Sequence, residues 1–434
     1  MNFPIINISE LKSRALNSRL INDSFWALFG NIIAKGLALV AGIIVARFLG
    51  KDTFGEYGII RNTLMSIAVF STFGLGYTAT KYVAEYKNSN PAFLRVILKY
   101  SRNITLFVSG TMAAALLISA NYFSEIVLES SHLANPLRLV ALWIVFNAVT
   151  TTQIGVLAGF GDFKGMSRIN TIVGIITFIF SLSLTYYFGL NGALVALLIS
   201  QIVNCWLNYR LVKSNLPQRS DSVEIDKPLL KDILKFSLPV ALQEALYSLT
   251  SWLISLILIK LASFGELGLY AAAMQWNTII LFVPGILRNV ILSHLSEVTN
   301  IPKRHDRVLK LTLIINFLMT FIPFLIVYFL SDFIANFYGD SFVGLADIIS
   351  IAVFTAIFSS MSNVYAQAFM SKGKNWLMFI IILFRNISII LLFYLLFLEF
   401  QDLKTGSYIL VISNLIITAF FFFILSLIYK LKVH

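Results

Sequence analysis

The sequence predicts an all-α, polytopic integral membrane protein with about twelve transmembrane helices in two parallel-repeat six-helix bundles. Three observations predict it. The 434 residues are 58% hydrophobic and only 12% charged, with a mean hydropathy of +0.83, far more apolar surface than one soluble core can hide. The apolar residues come in runs of about 20 or more, the length a helix needs to cross roughly 30 Å of hydrocarbon, whereas barrel strands are about half as long and alternate. The second half of the chain also repeats features of the first at a fixed shift.

In chain order, residues 1–23 form an amphipathic N-terminal segment. Ile6, Ile8, Leu11 and Leu16 alternate there with Lys12, Arg14 and Arg19, which suits a short helix lying on an anionic membrane face. No cleavable signal is expected, because the first apolar run begins near Ser24 and continues for a full span. An N-terminal six-helix bundle, 24–212, places helices at 24–49, 57–80, 101–121, 137–160, 167–189 and 191–212. A linker, 213–235, carries Pro217, Pro228 and a mixture of charges. The C-terminal bundle, 236–434, places helices at 236–260, 268–292, 309–330, 344–369, 376–398 and 407–430.

A shift of 213 positions brings Ser24 over Ser237, Arg47 over Lys260, Gly55 over Gly268 and Tyr57 over Tyr270. In the fourth helix of each half a shift near 210 lays Ala158–Lys164 over Ala368–Lys374. Six helices per half is even, so both halves enter the membrane from the same side and form a parallel repeat.

The net charge of +12 does not point to nucleic acid, because the cations lie in short loops and form no continuous patch. They report orientation instead. Arg47, Lys51, Arg61, Arg138, Lys260 and Lys404 fall near outer ends, Lys35 and Arg385 lie deep within spans, and every other Lys and Arg of the 33 falls on inner segments. Both termini are therefore expected in the cytoplasm, and the external connections are too short for a folded domain.

Cys205, the single cysteine, sits in an apolar run as a packing residue, which excludes a disulfide framework and a CxxC site. His132, His294, His305 and His434 have no metal-ligand spacing, and no phosphate-binding glycine loop, GxSxG or paired catalytic acids occur. No enzyme activity, ATP hydrolysis included, and no cofactor is expected.

Ionisable residues inside spans carry the functional information, since each costs about 2.5–3.5 kcal/mol on insertion scales unless it faces protein or water. Arg47, Arg61 and Lys260 are read as lying within about a turn of an outer end and Arg288 near an inner end, within reach of headgroups. Lys35, Glu244 and Arg385 are deeper, roughly 12–17 Å in. Pairing of Glu244 with Lys35 or Arg385 would fix helix packing; the other reading is a polar cavity between the halves. Asn31, Asn62, Gln275 and Asn277 lie at similar depth, where they either line that space or tie helices together. In the eighth span, Val283–Asn289 combines Pro284 with Arg288, which suits a segment that bends when access changes sides.

SFWALFGNIIAKGLALVAGIIVARFLGKDTFGEYG (Ser24–Gly58), LAGFGDFKGMSRIN (Leu157–Asn170) and KFSLPVALQEAL (Lys235–Leu246), after the basic amphipathic opening, resemble the polysaccharide exporters of the multidrug/oligosaccharidyl-lipid/polysaccharide (MOP) superfamily, specifically the Wzx-type O-antigen flippases. The resemblance covers almost the whole chain. It implies translocation of undecaprenyl-diphosphate-linked oligosaccharide across the bacterial inner membrane by alternating access, with a cationic cavity onto which Lys35, Arg61 and Arg288 map. It further implies contact with membrane lipids, and polysaccharide polymerase and chain-length machinery as partners. Glu244 departs from a purely cationic cavity and leaves open a coupling-ion site for H+ or Na+. The alternatives are a cation-coupled multidrug antiporter, a peptidoglycan-precursor flippase, for which two more helices are expected, and a membrane glycan polymerase, which needs a large external loop.

Overall fold

The computed structural model describes residues 19–432 apart from 73, 88, 217–227, 299–300 and 403–404. The amphipathic segment before Arg19 and most of the linker lie outside the described residues. What is described is helical because hydrocarbon offers the backbone no hydrogen-bond partner, so each span satisfies its own N–H and C=O groups. The helices are α1 (Arg19–Thr72), α2 (Leu75–Tyr86), α3 (Pro91–Tyr122), α4 (Ala134–Phe160), α5 (Phe163–Asn215), α6 (Pro228–Leu261), α7 (Phe264–Ile280), α8 (Phe282–Glu297), α9 (Pro302–Phe329), α10 (Ser331–Tyr338), α11 (Leu345–Ser371), α12 (Asn375–Phe400) and α13 (Gly406–Lys432).

Among the described residues eight helices are long and apolar enough to cross a membrane, and a ninth span is formed if α7 and the start of α8 count as one. Two of the eight are oversized, 43 residues in α1 and 53 in α5, whereas about 20 residues suffice. Each breaks at a glycine where the sequence predicts the boundary between two spans. Gly50 has φ 71° and ψ 168°, and Gly189 has φ 54° and ψ −134°, both in the positive-φ region that glycine enters without penalty. At Gly189 the chain folds back on itself, since Gly192 packs directly on the carbonyl of Leu184. Along a continuous helix those residues would stand about 12 Å apart.

The predicted eighth span is bent by 51° between α7 and α8. Pro284 explains the position of the bend: it has no N–H to donate to the Ile280 carbonyl, so the ladder is interrupted one turn earlier. The predicted third span begins ten residues earlier than its apolar run, at Pro91, because the basic turns carrying Arg95, Lys99 and Arg102 continue the helix.

The chain forms two compact units, Met1–Ala41 with Thr63–Ser248, and Gly42–Asn62 with Leu249–His434. In the first, α4 packs against α2, α3 and α5. Its close contact with α2 needs small residues: Gly155 lies on the Gly76 carbonyl and Gly159 against Val83 and the Thr80 carbonyl. Lys87 donates to the carbonyls of Gly159 (2.9 Å) and Phe160 (3.1 Å), placing a cation on the negative end of the α4 dipole.

In the second unit α11 is central, against α7, α8, α9, α10 and α13. Val364, Phe369, Leu309, Leu425 and Tyr429 form its core. The second part of α1 crosses α7 at Gly55 and Gly268, each of which packs on the other helix's backbone, with Gly58 against Ala271 one turn further along.

The fourth helix of the first half and its counterpart end alike. Gly161 (φ 79°) and Gly373 (φ 70°) follow α4 and α11 in left-handed conformation, with Asp162 N donating to Leu157 O (3.1 Å) and Lys374 N to Phe369 O (2.9 Å). These are the six-to-one bonds of a Schellman cap. They place Gly161 over Gly373, a shift of 212 that corrects the value near 210 read from residue matches alone.

Candidate functional site

In the first unit the polar positions lie along the seam of α1 and α5. Gly30 packs on Ser167 and Ala34 on Gly174, a spacing of four residues on α1 that lets the two backbones approach closely. Asn170 Nδ2 donates a long, 3.5 Å hydrogen bond to Asn31 Oδ1 at the edge of the seam. Lys35 follows one turn later on the same face and is exposed. Gly36 beside it opens onto empty space. At about 1.5 Å per residue Lys35 stands about 22 Å along α1 from the break at Gly50, far from that end of the span.

In the second unit two amides occupy matching places. Asn62 Nδ2 donates to Ser255 Oγ at 2.9 Å, tying the second part of α1 to α6. Shifted by 213 positions, that pair becomes Gln275 and Gly42, and these residues also meet: a Cβ on Gly42 would lie 2.7 Å from Gln275 Oε1. The longer amide fills the room left by the missing side chain. In exchange Gln275 Oε1 is buried without a hydrogen-bond partner, where the hydroxyl of Ser255 serves Asn62.

The half-buried Arg385 directs Nε (3.4 Å) and Nη2 (3.2 Å) at Asn386 Oδ1, and Asn386 Nδ2 donates to Thr250 Oγ1 at 3.3 Å. A charge deep in α12 is thereby joined to a polar tie between α12 and α6. Asn386, Thr250 and Ser255 are not recognisable from sequence, because single amides and hydroxyls in apolar runs do not reveal their partners.

Asn277 is 5% exposed and donates to the Ala352 carbonyl at 2.6 Å. It joins α7 to α11 from a buried position. Arg61 and Arg288 are exposed. The helix resumes immediately after Gly50 through the polar run 52–58, so Arg61 stands about three turns into the second part of α1. Lys35 belongs to the first unit and Arg61, Arg288 and Arg385 to the second. The side chain of Glu244 lies outside the described residues. Among the described residues no group of three or more His, Cys, Asp or Glu converges as metal ligands do.

A family model described as polysaccharide biosynthesis protein matches residues 20–292. The lipid III flippase of Escherichia coli (strain K12) is 24% identical over 284 residues, 64% of this chain and 68% of that protein. An uncharacterized membrane protein of Methanocaldococcus jannaschii is 25% identical over 243 residues, and the match spans 53% of this chain and only 56% of that relative. Among solved structures, an inward-facing multidrug resistance MATE family transporter of the MOP superfamily superposes with a TM-score of 0.78 at 16% identity, covering 94% of this chain and 99% of the other. Lipid II flippase MurJ in an inward closed conformation gives 0.73 at 15%, covering 93% and 87%. The fold is therefore that of the MOP transporters, a polytopic all-α membrane protein. The relatives with an assigned activity are flippases and transporters.

Proposed function

This chain belongs to the polysaccharide biosynthesis protein family, and from that premise we propose that it flips an undecaprenyl-diphosphate-linked oligosaccharide, an O-antigen unit or a related surface-polysaccharide repeat, from the inner to the outer leaflet by alternating access. The observation that carries the reading is Lys35, an ammonium deep in α1 and exposed there. A cation at such depth is stable only against water, an anion or a polar protein surface. An exposed ammonium at that depth is within reach of an anionic headgroup that passes along α1, and a diphosphate is such a headgroup.

The energetics suit such a substrate. Each uncompensated hydroxyl or amide costs about 1–3 kcal/mol to bury, so passage of an oligosaccharide through bare lipid is forbidden and a polar path removes the barrier. A membrane potential negative inside favours outward movement of an anion by about 2.3 kcal/mol per charge per 100 mV, which would drive export without ATP. Two six-helix bundles related by a parallel repeat are part of the proposal. They are supported by the Gly55–Gly268 crossing, the pairs Asn62–Ser255 and Gln275–Gly42, and the matching caps at Gly161 and Gly373.

The remaining assignments follow the same reading: a bacterial cytoplasmic membrane, cytoplasmic termini, polymerase and chain-length proteins as downstream partners, and coupling of H+ or Na+ through Glu244. Deletion of the gene tests the substrate class. Lipid-linked oligosaccharide should accumulate on the cytoplasmic face, and accumulation of a peptidoglycan precursor instead would reassign the substrate.

A further inference from the structure

The first unit contains a recess among the opening turns of α3, the later turns of α4 and the end of α5, about 320 Å³ in volume. Arg95, Lys99 and Arg102 line it. Their spacing puts all three on one face of α3, where like charges repel. Among the described residues none of the three has an acidic or hydrogen-bonding partner. Deeper in, Thr105 and Thr152 satisfy one another at 3.1 Å, but Gln153, also lining the recess, has a buried Oε1 with no partner. Apart from Tyr209 the rest of the wall is apolar, with Val149, Val156 and Leu216.

From this combination we propose that the recess binds the phosphate headgroup and first carbons of an anionic membrane lipid. Three unpaired cations at the mouth of an apolar hollow match a phosphate, whose oxygens accept charge-assisted hydrogen bonds from guanidinium and ammonium groups. The apolar wall matches the first carbons of the chain. The Gln153 oxygen needs a donor, which a headgroup hydroxyl provides. Basic residues that merely set orientation need no such hollow; they face bulk headgroups. The recess is built from α3, α4 and α5 alone and contains none of the residues assigned to the substrate cavity, so it stands independently of the flippase reading. Its leaflet is the one where α3 begins, the inner one on the charge distribution.

The test is native mass spectrometry of the full chain with phosphatidylglycerol, phosphatidylcholine, a polyprenyl phosphate and inorganic phosphate. Phosphatidylglycerol should be retained in preference to phosphatidylcholine, and Arg95→Gln/Lys99→Gln/Arg102→Gln together should weaken it about tenfold or more. If that variant does not fold, Arg102→Gln alone should show a several-fold loss. Val149→Trp, which fills the hollow and leaves every charge in place, should also weaken retention. Tighter retention of the polyprenyl phosphate would assign the recess to a carrier lipid, and tighter retention of phosphatidylglycerol to bulk lipid; both carry the phosphate in question. Equal retention of phosphatidylcholine, unchanged binding in Val149→Trp, or displacement by inorganic phosphate as effective as by lipid would overturn the proposal.

Discussion

Gly55 and Gly268 pack on one another reciprocally: Gly55 rests on the carbonyl of Phe264, four residues before Gly268, and Gly268 rests on the carbonyl of Lys51, four residues before Gly55. Such a contact, in which i meets j as j meets i, is the mark of a two-fold relation. It falls in the register of the 213-residue shift. Neither site has room for a methyl group without backbone movement, so Gly55→Ala and Gly268→Ala should each destabilise the protein by about 1–3 kcal/mol. Gly36→Ala, which meets nothing within 4 Å, should be neutral. Thermal unfolding in detergent would separate them, and equal midpoints for all three would contradict the close crossing.

The pairs Asn62–Ser255 and Gln275–Gly42 predict a compensating exchange. Gly42→Ser alone crowds the Gln275 carboxamide, and Gln275→Asn alone leaves a void. Together they recreate the arrangement seen at Asn62 and Ser255. A double-mutant cycle should show favourable coupling of about 1 kcal/mol, and strict additivity would argue against matching environments.

Lys35 and Asn277 should separate function from stability. Asn277→Ala removes the buried amide bond to the Ala352 carbonyl and should cost about 1–3 kcal/mol of stability, with transport per folded molecule unchanged. Lys35→Ala should do the reverse, abolishing surface glycan while protein level and insertion stay normal. Normal glycan in the Lys35 variant would remove this residue from the transport path.

Pro284 sets the bend between α7 and α8. Pro284→Ala returns an N–H donor to the Ile280 carbonyl and should straighten the pair, raising the unfolding midpoint and slowing transport. A variant that transports at the normal rate with an unbent helix, seen by spin-label distances across Leu281, would exclude the bend from the cycle.

The helices were legible because lipid permits little else: apolar length and loop charge suffice to lay out spans, and Gly50, Gly189 and Pro284 punctuate them where the sequence indicates. The first turns of α3 were not, since Arg95, Lys99 and Arg102 interrupt hydropathy without interrupting the helix. The polar run 52–58 before Arg61 is helical for the same reason. Asn277 and Asn62 look equivalent in sequence, yet one is bonded to a buried backbone carbonyl and the other to a hydroxyl on another helix. Partners of that kind are set by packing and leave no trace in periodicity. The recess beneath Arg102 likewise exists only once three helices are brought together.

The central claim is movement of a lipid-linked oligosaccharide past Lys35. The direct measurement reconstitutes the purified chain in vesicles oriented with its termini outside, supplies undecaprenyl-diphosphate oligosaccharide in the outer leaflet, and follows its loss from lectin accessibility. The wild-type chain should make the oligosaccharide inaccessible, faster under a potential positive in the lumen, and Lys35→Ala should leave it where it began. Unchanged accessibility with the wild-type chain, or equal rates for the two proteins, would contradict the account.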